Sequence, residues 1–191
     1  MKRLLIIVAI ALALGCCIVS AAPKGELSYG AQTRLEVTYD KFLNVYYIGP
    51  SLAMVGGTTD RPRVTLEMQR TPKGKIMFMN VMMTSKDFAY LDRGIFIVNG
   101  RRYDTPALDP FGDFCFHDVF NGYIIESLYF LFSDPAVAAI VDAIRNAGVS
   151  GVVEYRFYGE KRSFSGIMSE GEKQVWLDML EYYDFYDVPV L

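Results

Sequence analysis

Cysteine is scarce in this chain of 191 residues, which contains three. Cys16 and Cys17 lie in an apolar N-terminal segment, so Cys115 stands alone in the remainder. A single thiol cannot form an intramolecular disulfide, so packing and hydrogen bonding must stabilise the folded part. The chain also has no Cys-x-x-Cys pair of the kind that holds zinc or performs thiol redox chemistry.

The sequence also lacks the motifs that usually announce an active site. It has no Gly-x-Ser-x-Gly elbow, no glycine-rich phosphate loop and no His-Glu-x-x-His. His117 is the only histidine, so general acid–base chemistry has few candidates. A hydrolase that uses two carboxylates holds them at a defined distance, and the sequence does not fix the distance between Asp109 and Asp113. These two residues therefore do not define a hydrolase pair. These absences favour a non-enzymatic role, and we expect no bound cofactor.

Basic residues are missing from one long stretch. Residues 104–144 contain no Lys or Arg but several Asp and Glu, whereas basic residues dominate 60–103. This asymmetry has two interpretations. The two segments form a dipolar surface that meets a partner, or they lie side by side in a sheet and neutralise each other. We favour the second interpretation. The net charge of −3 and the absence of a nucleic-acid-binding signature argue against nucleic acid as a partner.

The N-terminus has the layout of a secretion signal. Lys2 and Arg3 precede an uncharged apolar stretch, 4–22, and Val19-Ser20-Ala21 offers the short side chains that signal peptidase accepts. The positive end would stay in the cytoplasm while the apolar stretch enters the membrane. We therefore expect export, with residues 1–21 removed and Ala22 as the new N-terminus.

The segment has two alternative fates besides this cleavage. Residues 12–16 resemble the lipobox of bacterial lipoproteins, which would make Cys16 a lipidated first residue, although Leu14 is bulkier than that motif prefers. Alternatively the segment stays as an anchor, because its length is close to the ~18–20 residues that span a bilayer. All three outcomes place residues 24–191 outside the cytoplasm, in the periplasm or at the cell surface, with a membrane attachment only through the segment or a lipid.

The remainder has the size and composition of one domain. Residues 22–191 contain no second long apolar span, no internal repeat and no low-complexity tract, and their many Tyr and Phe residues favour strands over disorder. Their length allows a real hydrophobic core.

Alternation and turn signals predict antiparallel strands in most of this domain. Leu35, Val37 and Tyr39 alternate with polar residues, which predicts a half-buried strand, and 64–68 alternates in the same way. Asn99-Gly100 is a strong signal for a two-residue hairpin turn. Further strands are expected at 45–48, 52–55, 76–83, 94–98, 101–103, 123–132, 152–158 and 164–167.

Two helices are expected late in the chain. Asp134 before Pro135 predicts one helix start, and Gly148 its end. Ser169 and Glu172 match a capping box for the other. Apolar residues recur at helical spacing in both segments. The sequence therefore predicts an α+β fold with a mainly antiparallel, sandwich-like β-sheet and two C-terminal amphipathic helices.

The most suggestive cluster of polar residues is Asp113, Cys115 and His117. If 113–118 is extended, the three side chains project from one face and are suitable ligands for zinc or copper. Cys115 and His117 would also suit a nucleophile and its base. Interleaved phenylalanines are equally typical of an ordinary strand, which is the interpretation we favour.

Met68, Met77 and Met79 form a second candidate metal site. Thioethers are soft ligands that bind copper(I), and the three would lie on neighbouring strands. Methionine is also a flexible filler of irregular cores, and packing explains these residues better.

Aromatic and acidic residues alternate in the tail, 181–187. Such a segment would suit a partner protein or an aromatic-lined ligand cleft. We favour the alternative, in which Tyr183 and Phe185 dock on the core while the acidic side chains remain in water.

Our leading hypothesis is an exported bacterial cell-envelope protein, non-enzymatic, that binds a protein or a small molecule, with lipid anchoring through Cys16 as one form of its attachment. The first alternative is a periplasmic copper- or zinc-binding protein. The second is a hydrolase-like enzyme built on the acidic loop at 104–118.

Overall fold

Two antiparallel β-sheets and three helices form the part of the chain that the computed structural model describes, residues 26–51 and 61–186. All the strand pairings there are antiparallel, so the α+β class with a mainly antiparallel sheet is confirmed. The strands are β1 (Leu35–Asp40), β2 (Val45–Pro50), β3 (Arg63–Thr71), β4 (Gly74–Ser85), β5 (Leu91–Val98), β6 (Arg101–Asp104), β7 (Cys115–Phe120), β8 (Tyr123–Leu131), β9 (Val153–Gly159) and β10 (Ser163–Ile167). The helices are α1 (Tyr29–Arg34), α2 (Pro135–Ala147) and α3 (Glu170–Phe185).

Six strands form the larger sheet in the order β1-β2-β3-β4-β8-β7. Its centre is the predicted hairpin of β3 and β4, whose turn is held by the Thr71 hydroxyl, which accepts the N–H groups of Lys73 and Gly74. The alternating residues Val64, Leu66 and Met68 are all buried, as the period of two predicts.

The smaller sheet has the order β10-β9-β5-β6. The predicted hairpin turn between β5 and β6 is confirmed, because Asn99 and Gly100 both have positive φ, at 49° and 82°. Adjacent positive φ angles are what a two-residue hairpin turn requires. Phe96, Tyr155 and Phe157 of this sheet turn inward and join the core.

The helices begin where their caps predict. The Asp134 carboxylate accepts the N–H of Ala136, and the Ser169–Glu172 capping box is formed. Helix α3 packs on β3, where the indole N–H of Trp176 donates to the carbonyl of Val64 at 3.0 Å. In the described ranges, no helix has the length and apolar character that crossing a membrane requires.

Three features differ from the sequence-based expectations or lie beyond them. Val37 and Tyr39 are 46% and 48% exposed, so of the three alternating apolar residues in β1 only Leu35 is buried. The reason is that β1 is an edge strand with a neighbour on one side only. Helix α1 is additional to the two helices expected from the sequence. The apolar run at 52–55 lies outside the described residues.

The basic and acidic segments do lie side by side, since β4 pairs with β8. Ionic neutralisation between them is local, however. Arg102 pairs with Asp104 at 2.6 Å, whereas Arg61 pairs with Glu172, outside the acidic segment. The strand pairing therefore agrees with the interpretation that the two segments lie side by side. The two ion pairs agree with it less well, because one is local and the other involves a residue outside the acidic segment.

Candidate functional site

Asp113, Cys115 and His117 do not share a strand face. Asp113 is exposed in the turn before β7, which begins at Cys115, so the expected extended conformation of 113–118 is wrong at its first residues. Cys115 is 1% exposed. Burial raises the pKa of its thiol to about 12, and the charges of nearby carboxylates add to the effect. A neutral buried thiol is a poor nucleophile, because the thiolate is the reactive form.

His117 instead faces a buried carboxylate. Its Nε2 lies 3.2 Å from Oε1 of Glu126, which is 1% exposed. The same carboxylate accepts the backbone N–H groups of Ala89 and Tyr90 at 2.8 and 2.7 Å. Glu126 therefore ties the loop before β5 to strand β8, and it does so at Tyr90, whose φ of 55° is unusual for a bulky residue.

No group of three or more His, Cys, Asp and Glu residues is arranged to hold a metal ion in the portion of the chain that the structure describes. Met68, Met77 and Met79 do come together, since Met68 lies opposite Met77 in the β3–β4 pairing. All three are at most 1% exposed and belong to the core, as packing predicts. Metal binding at either cluster stays a prediction.

The C-terminal tail docks on the fold up to residue 186. Tyr183 is buried, as expected, and Phe185 is half-buried. The ammonium group of Lys75 donates to the carbonyl oxygens of Tyr183 and Tyr186 at 2.6 Å each, so it neutralises the negative end of α3. The export segment with Cys16 lies outside the described residues.

A different site emerges on the outer face, which is the side of the six-stranded sheet that carries Thr65, Glu67, Asn80 and Tyr129 and points away from α3. A cavity of about 350 Å³ opens there. We call it the outer-face pocket, and it is lined by Glu36, Thr38, Tyr47, Ile48, Gly49, Pro50, Glu67, Met68, Gln69, Phe78, Phe116 and Tyr129.

All six strands of the sheet contribute to this lining, including both edge strands, β1 and β7. Neighbouring strands lie about 4.8 Å apart, so the edges of a flat sheet of this size would be separated by roughly 24 Å. A single cavity with walls from both edges therefore indicates that the sheet is concave on this side. Concavity also explains why Phe78, which points into this side, is only 2% exposed.

Glu67 and Asn80 form the polar centre of the outer face. Oε1 of Glu67 accepts the side-chain amide of Asn80 at 2.6 Å and the hydroxyl of Thr65 at 3.4 Å. Burial raises the pKa of Glu67, while these two hydrogen bonds act in the opposite direction. Asn80 is 7% exposed, and its Oδ1 has no hydrogen-bond partner among the described residues.

Aromatic rings surround this centre. Tyr129 packs edge-on against Phe78 and Phe116, with ring centroids 6.2 and 5.5 Å apart. Burial, together with the charge of Glu67, raises the pKa of Tyr129 to about 12. Burial likewise raises the pKa of Tyr47, with a contribution from Asp40. Both phenols are therefore neutral near pH 7.

Asn80 is the residue that sequence reasoning missed. It sits in the apolar run 76–83, in the middle of a central strand, where an amide must find partners. That interruption is a readable signal. Its partner Glu67 was not recognisable, because a polar residue in an alternating strand is expected to face water.

A second cavity, of about 530 Å³, lies on the outer side of the four-stranded sheet. Ile95 and Ile97 form its floor, and exposed charged residues such as Arg156 form its walls. Arg102 is already paired with Asp104 there. Its charged lining residues Arg102, Glu154 and Arg156 are exposed, whereas Glu67 in the outer-face pocket is half-buried and burial raises its pKa. Size alone therefore does not make the second cavity the better candidate.

Comparisons with family models, with curated proteins and with solved structures found no match. Function on a shared fold is decided by the site rather than by the architecture. The role of this chain must therefore be inferred from the chemistry of the outer-face pocket.

Proposed function

We propose that this chain is a non-enzymatic binding module that acts in the bacterial cell envelope and holds a small ligand in the outer-face pocket. The observation that supports this most strongly is the lining of the pocket, in which the Glu67 carboxylate lies among the rings of Tyr47, Phe78, Phe116 and Tyr129. A few polar groups set among apolar and aromatic walls are typical of small-molecule sites.

The shape and lining of the pocket support the same role. Its volume lies at the lower end of the range for small-molecule sites, and it combines apolar walls with few polar groups, as such sites do. The titratable residues that would suit catalysis, Cys115 and His117, lie on β7 in a separate environment, where the thiol is neutral and the imidazole faces Glu126.

Export is part of the proposal. The basic start, the apolar stretch and the small residues before Ala22 support secretion, and Cys16 provides the lipidation alternative. A partner protein on another surface is compatible with a ligand in this pocket.

We further propose that the two sheets enclose the core in a sandwich-like manner and that α2 and α3 are amphipathic. Helix α2 supports this with four buried apolar residues at helical spacing, which are Val137, Ile140, Val141 and Ile144. In α3, Trp176, Met179 and Leu180 are buried. One apolar stripe per helix is the pattern of a helix that covers a sheet.

Native mass spectrometry of the protein purified from a bacterial envelope tests the binding role. Gly49→Leu is the blocking variant, because a Cβ at Gly49 would lie 3.8 Å from Cγ of Glu67, in ordinary contact and inside the pocket. Ser165→Leu is the matched control, since it places the same side chain in the larger cavity of the four-stranded sheet.

We expect the wild type and Ser165→Leu to carry an excess mass that Gly49→Leu lacks. The denatured mass of the same samples reports processing, with a start at Ala22 or at an acylated Cys16. A wild-type chain that is bare in the native spectrum, or cargo that survives Gly49→Leu, would count against the outer-face pocket as a binding site.

A further inference from the structure

The outer side of the four-stranded sheet carries a regular pattern of side chains. Because neighbouring residues of a strand point to opposite sides, these side chains alternate with those that enter the core, and the strand pairing sets them in two neighbouring rows. The first row is Arg102, Ile97, Glu154 and Ile167, and the second is Asp104, Ile95, Arg156 and Ser165. All of them except Ile95 are exposed, and we call this surface the two-row face.

The charges of the two rows have opposite order. On β6, Arg102 belongs to the first row and Asp104 to the second, whereas on β9 the acidic Glu154 belongs to the first row and the basic Arg156 to the second. An isoleucine of β5 lies between the two charges in both rows. Each row is therefore the charge complement of the other.

This pattern is self-complementary under a two-fold rotation. If a second copy packs on the face with the rotation axis between the rows and perpendicular to the strands, each row meets the other row of that copy. Four contacts then form, each of them twice: Arg102 with Asp104, Ile97 with Ile95, Glu154 with Arg156, and Ile167 with Ser165. Every charge meets an opposite charge, and the isoleucines of β5 meet at the centre.

The cavity over the two-row face fits the same arrangement. Sheets that pack face to face lie about 10 Å apart with interdigitating side chains. The second copy would therefore fill the cavity above Ile95 and Ile97, which charged side chains surround. Ile97 and Ile167 are 36% and 60% exposed, and their burial against the second copy would stabilise the pair of molecules.

The charged side chains are available for contacts with a second copy. Glu154 and Arg156 form no ion pair with any other described residue. Arg102 and Asp104 pair with each other at 2.6 Å, but their side chains are 64% and 57% exposed. The rotation brings two such pairs together as a network of four alternating charges. Complementary charges of this kind determine the partner and the register more than the affinity.

The size of the two-row face limits the strength of the association. Four strands about 4.8 Å apart, with five or six residues along each at about 3.4 Å, give a footprint of roughly 350 Å² per copy. Specific, stable interfaces usually bury about 800 Å² per partner. The dimer is therefore weak and its formation depends on concentration.

We infer that two copies of this chain associate through the two-row face as a weak, reversible dimer with two-fold symmetry. The isoleucines of β5 form the centre of the interface, and the charged residues of β6 and β9 fix its register. The two-row face and the outer-face pocket lie on different sheets, so this inference does not depend on a ligand in that pocket.

Sedimentation equilibrium of the protein purified from a bacterial envelope tests this inference near pH 7. We expect the average mass of the wild type to rise from that of a monomer towards that of a dimer between about 1 µM and about 1 mM. Glu154→Arg and Arg156→Glu each place like charges opposite one another, so each should weaken the association about tenfold or more. Lys86→Glu, in the loop between β4 and β5, is the control and should leave it unchanged, because Lys86 is exposed and lies outside the two-row face.

A mixture of the two single variants tests the register itself. When one copy carries Glu154→Arg and the other Arg156→Glu, both contacts between positions 154 and 156 regain opposite charges. The equimolar mixture should therefore associate as strongly as the wild type, although each variant alone does not. The double variant Glu154→Arg/Arg156→Glu should also regain wild-type association, which shows that the single variants do not act through a folding defect.

Three results would overturn the inference. A wild type that stays monomeric at every concentration would leave the two-row face to a different partner. A dimer that neither single variant weakens would mean that the copies associate through another surface. Single variants that weaken the dimer but are not rescued in the mixture would rule out the contact between Glu154 and Arg156 on which the register depends.

Discussion

Glu67 is a carboxyl group whose protonated form the fold favours, since burial raises its pKa above the ordinary value for a glutamic acid. A raised pKa in the folded state contributes stability that is fully present below the unfolded pKa and is lost as the pH rises through the folded pKa. At neutral pH the ionised side chain is therefore destabilising relative to an uncharged one of the same shape.

We accordingly predict that Glu67→Gln is at least as stable as the wild type at pH 7. Its advantage should shrink as the pH falls through the raised pKa of Glu67, because the wild-type side chain then becomes protonated as well. Urea denaturation at several pH values measures this difference, with Glu154→Gln as the control. An advantage that grows on acidification would mean that Glu67 has a cationic partner in the fold.

Single residues also show where sequence reasoning reached its limit. Asn80 interrupts an apolar run, so a buried polar centre was foreseeable in β4. Its contact with Glu67 was not, because the hydrogen bond depends on the β3–β4 register, which brings the half-buried Glu67 beside the buried Asn80. Cys115 and His117 stood out in the sequence, but the pattern did not reveal that the buried Glu126 faces His117.

Among the structural elements, the loop before β5 depends on one side chain. Glu126 accepts the N–H groups of Ala89 and Tyr90, and both its oxygens are buried with it. Glu126→Ala would leave two largely buried donors without acceptors, at a cost of about 1–3 kcal/mol each.

We expect Glu126→Ala to lower the free energy of unfolding by about 2–5 kcal/mol and to accelerate amide exchange at Ala89 and Tyr90. His117→Ala is the control, because it removes the imidazole, which contacts Glu126 and neighbouring rings, and leaves both backbone hydrogen bonds to Glu126 in place, so its effect should be smaller than that of Glu126→Ala. Equal destabilisation by the two variants would count against the two backbone hydrogen bonds as the source of the loop's stability.

Most elements were predictable because their signals are local. Alternation, the Asn99-Gly100 turn and the capping residues Asp134 and Ser169 each act within a few positions. Helix α1 was not, since six residues hold too little periodicity to stand out. The exposure of Val37 was also hidden, because it depends on β1 being at the edge of the sheet.

At the scale of the whole molecule, the decisive features are non-local. The pairing of β4 with β8 joins segments about 45 residues apart, and that of β5 with β9 spans about 60. No sequence pattern specified either partner. The β4–β8 pairing completes the six-stranded sheet, and residues from all six of its strands line the outer-face pocket.

The outer-face pocket is tested most directly by NMR of the isotope-labelled protein titrated with the low-molecular-weight fraction of a bacterial envelope. We expect chemical-shift changes that cluster on Gly49, Glu67 and the side-chain amide of Asn80. Changes that cluster instead on Ile97 and Arg156, in the cavity of the four-stranded sheet, would contradict the assignment of the binding site.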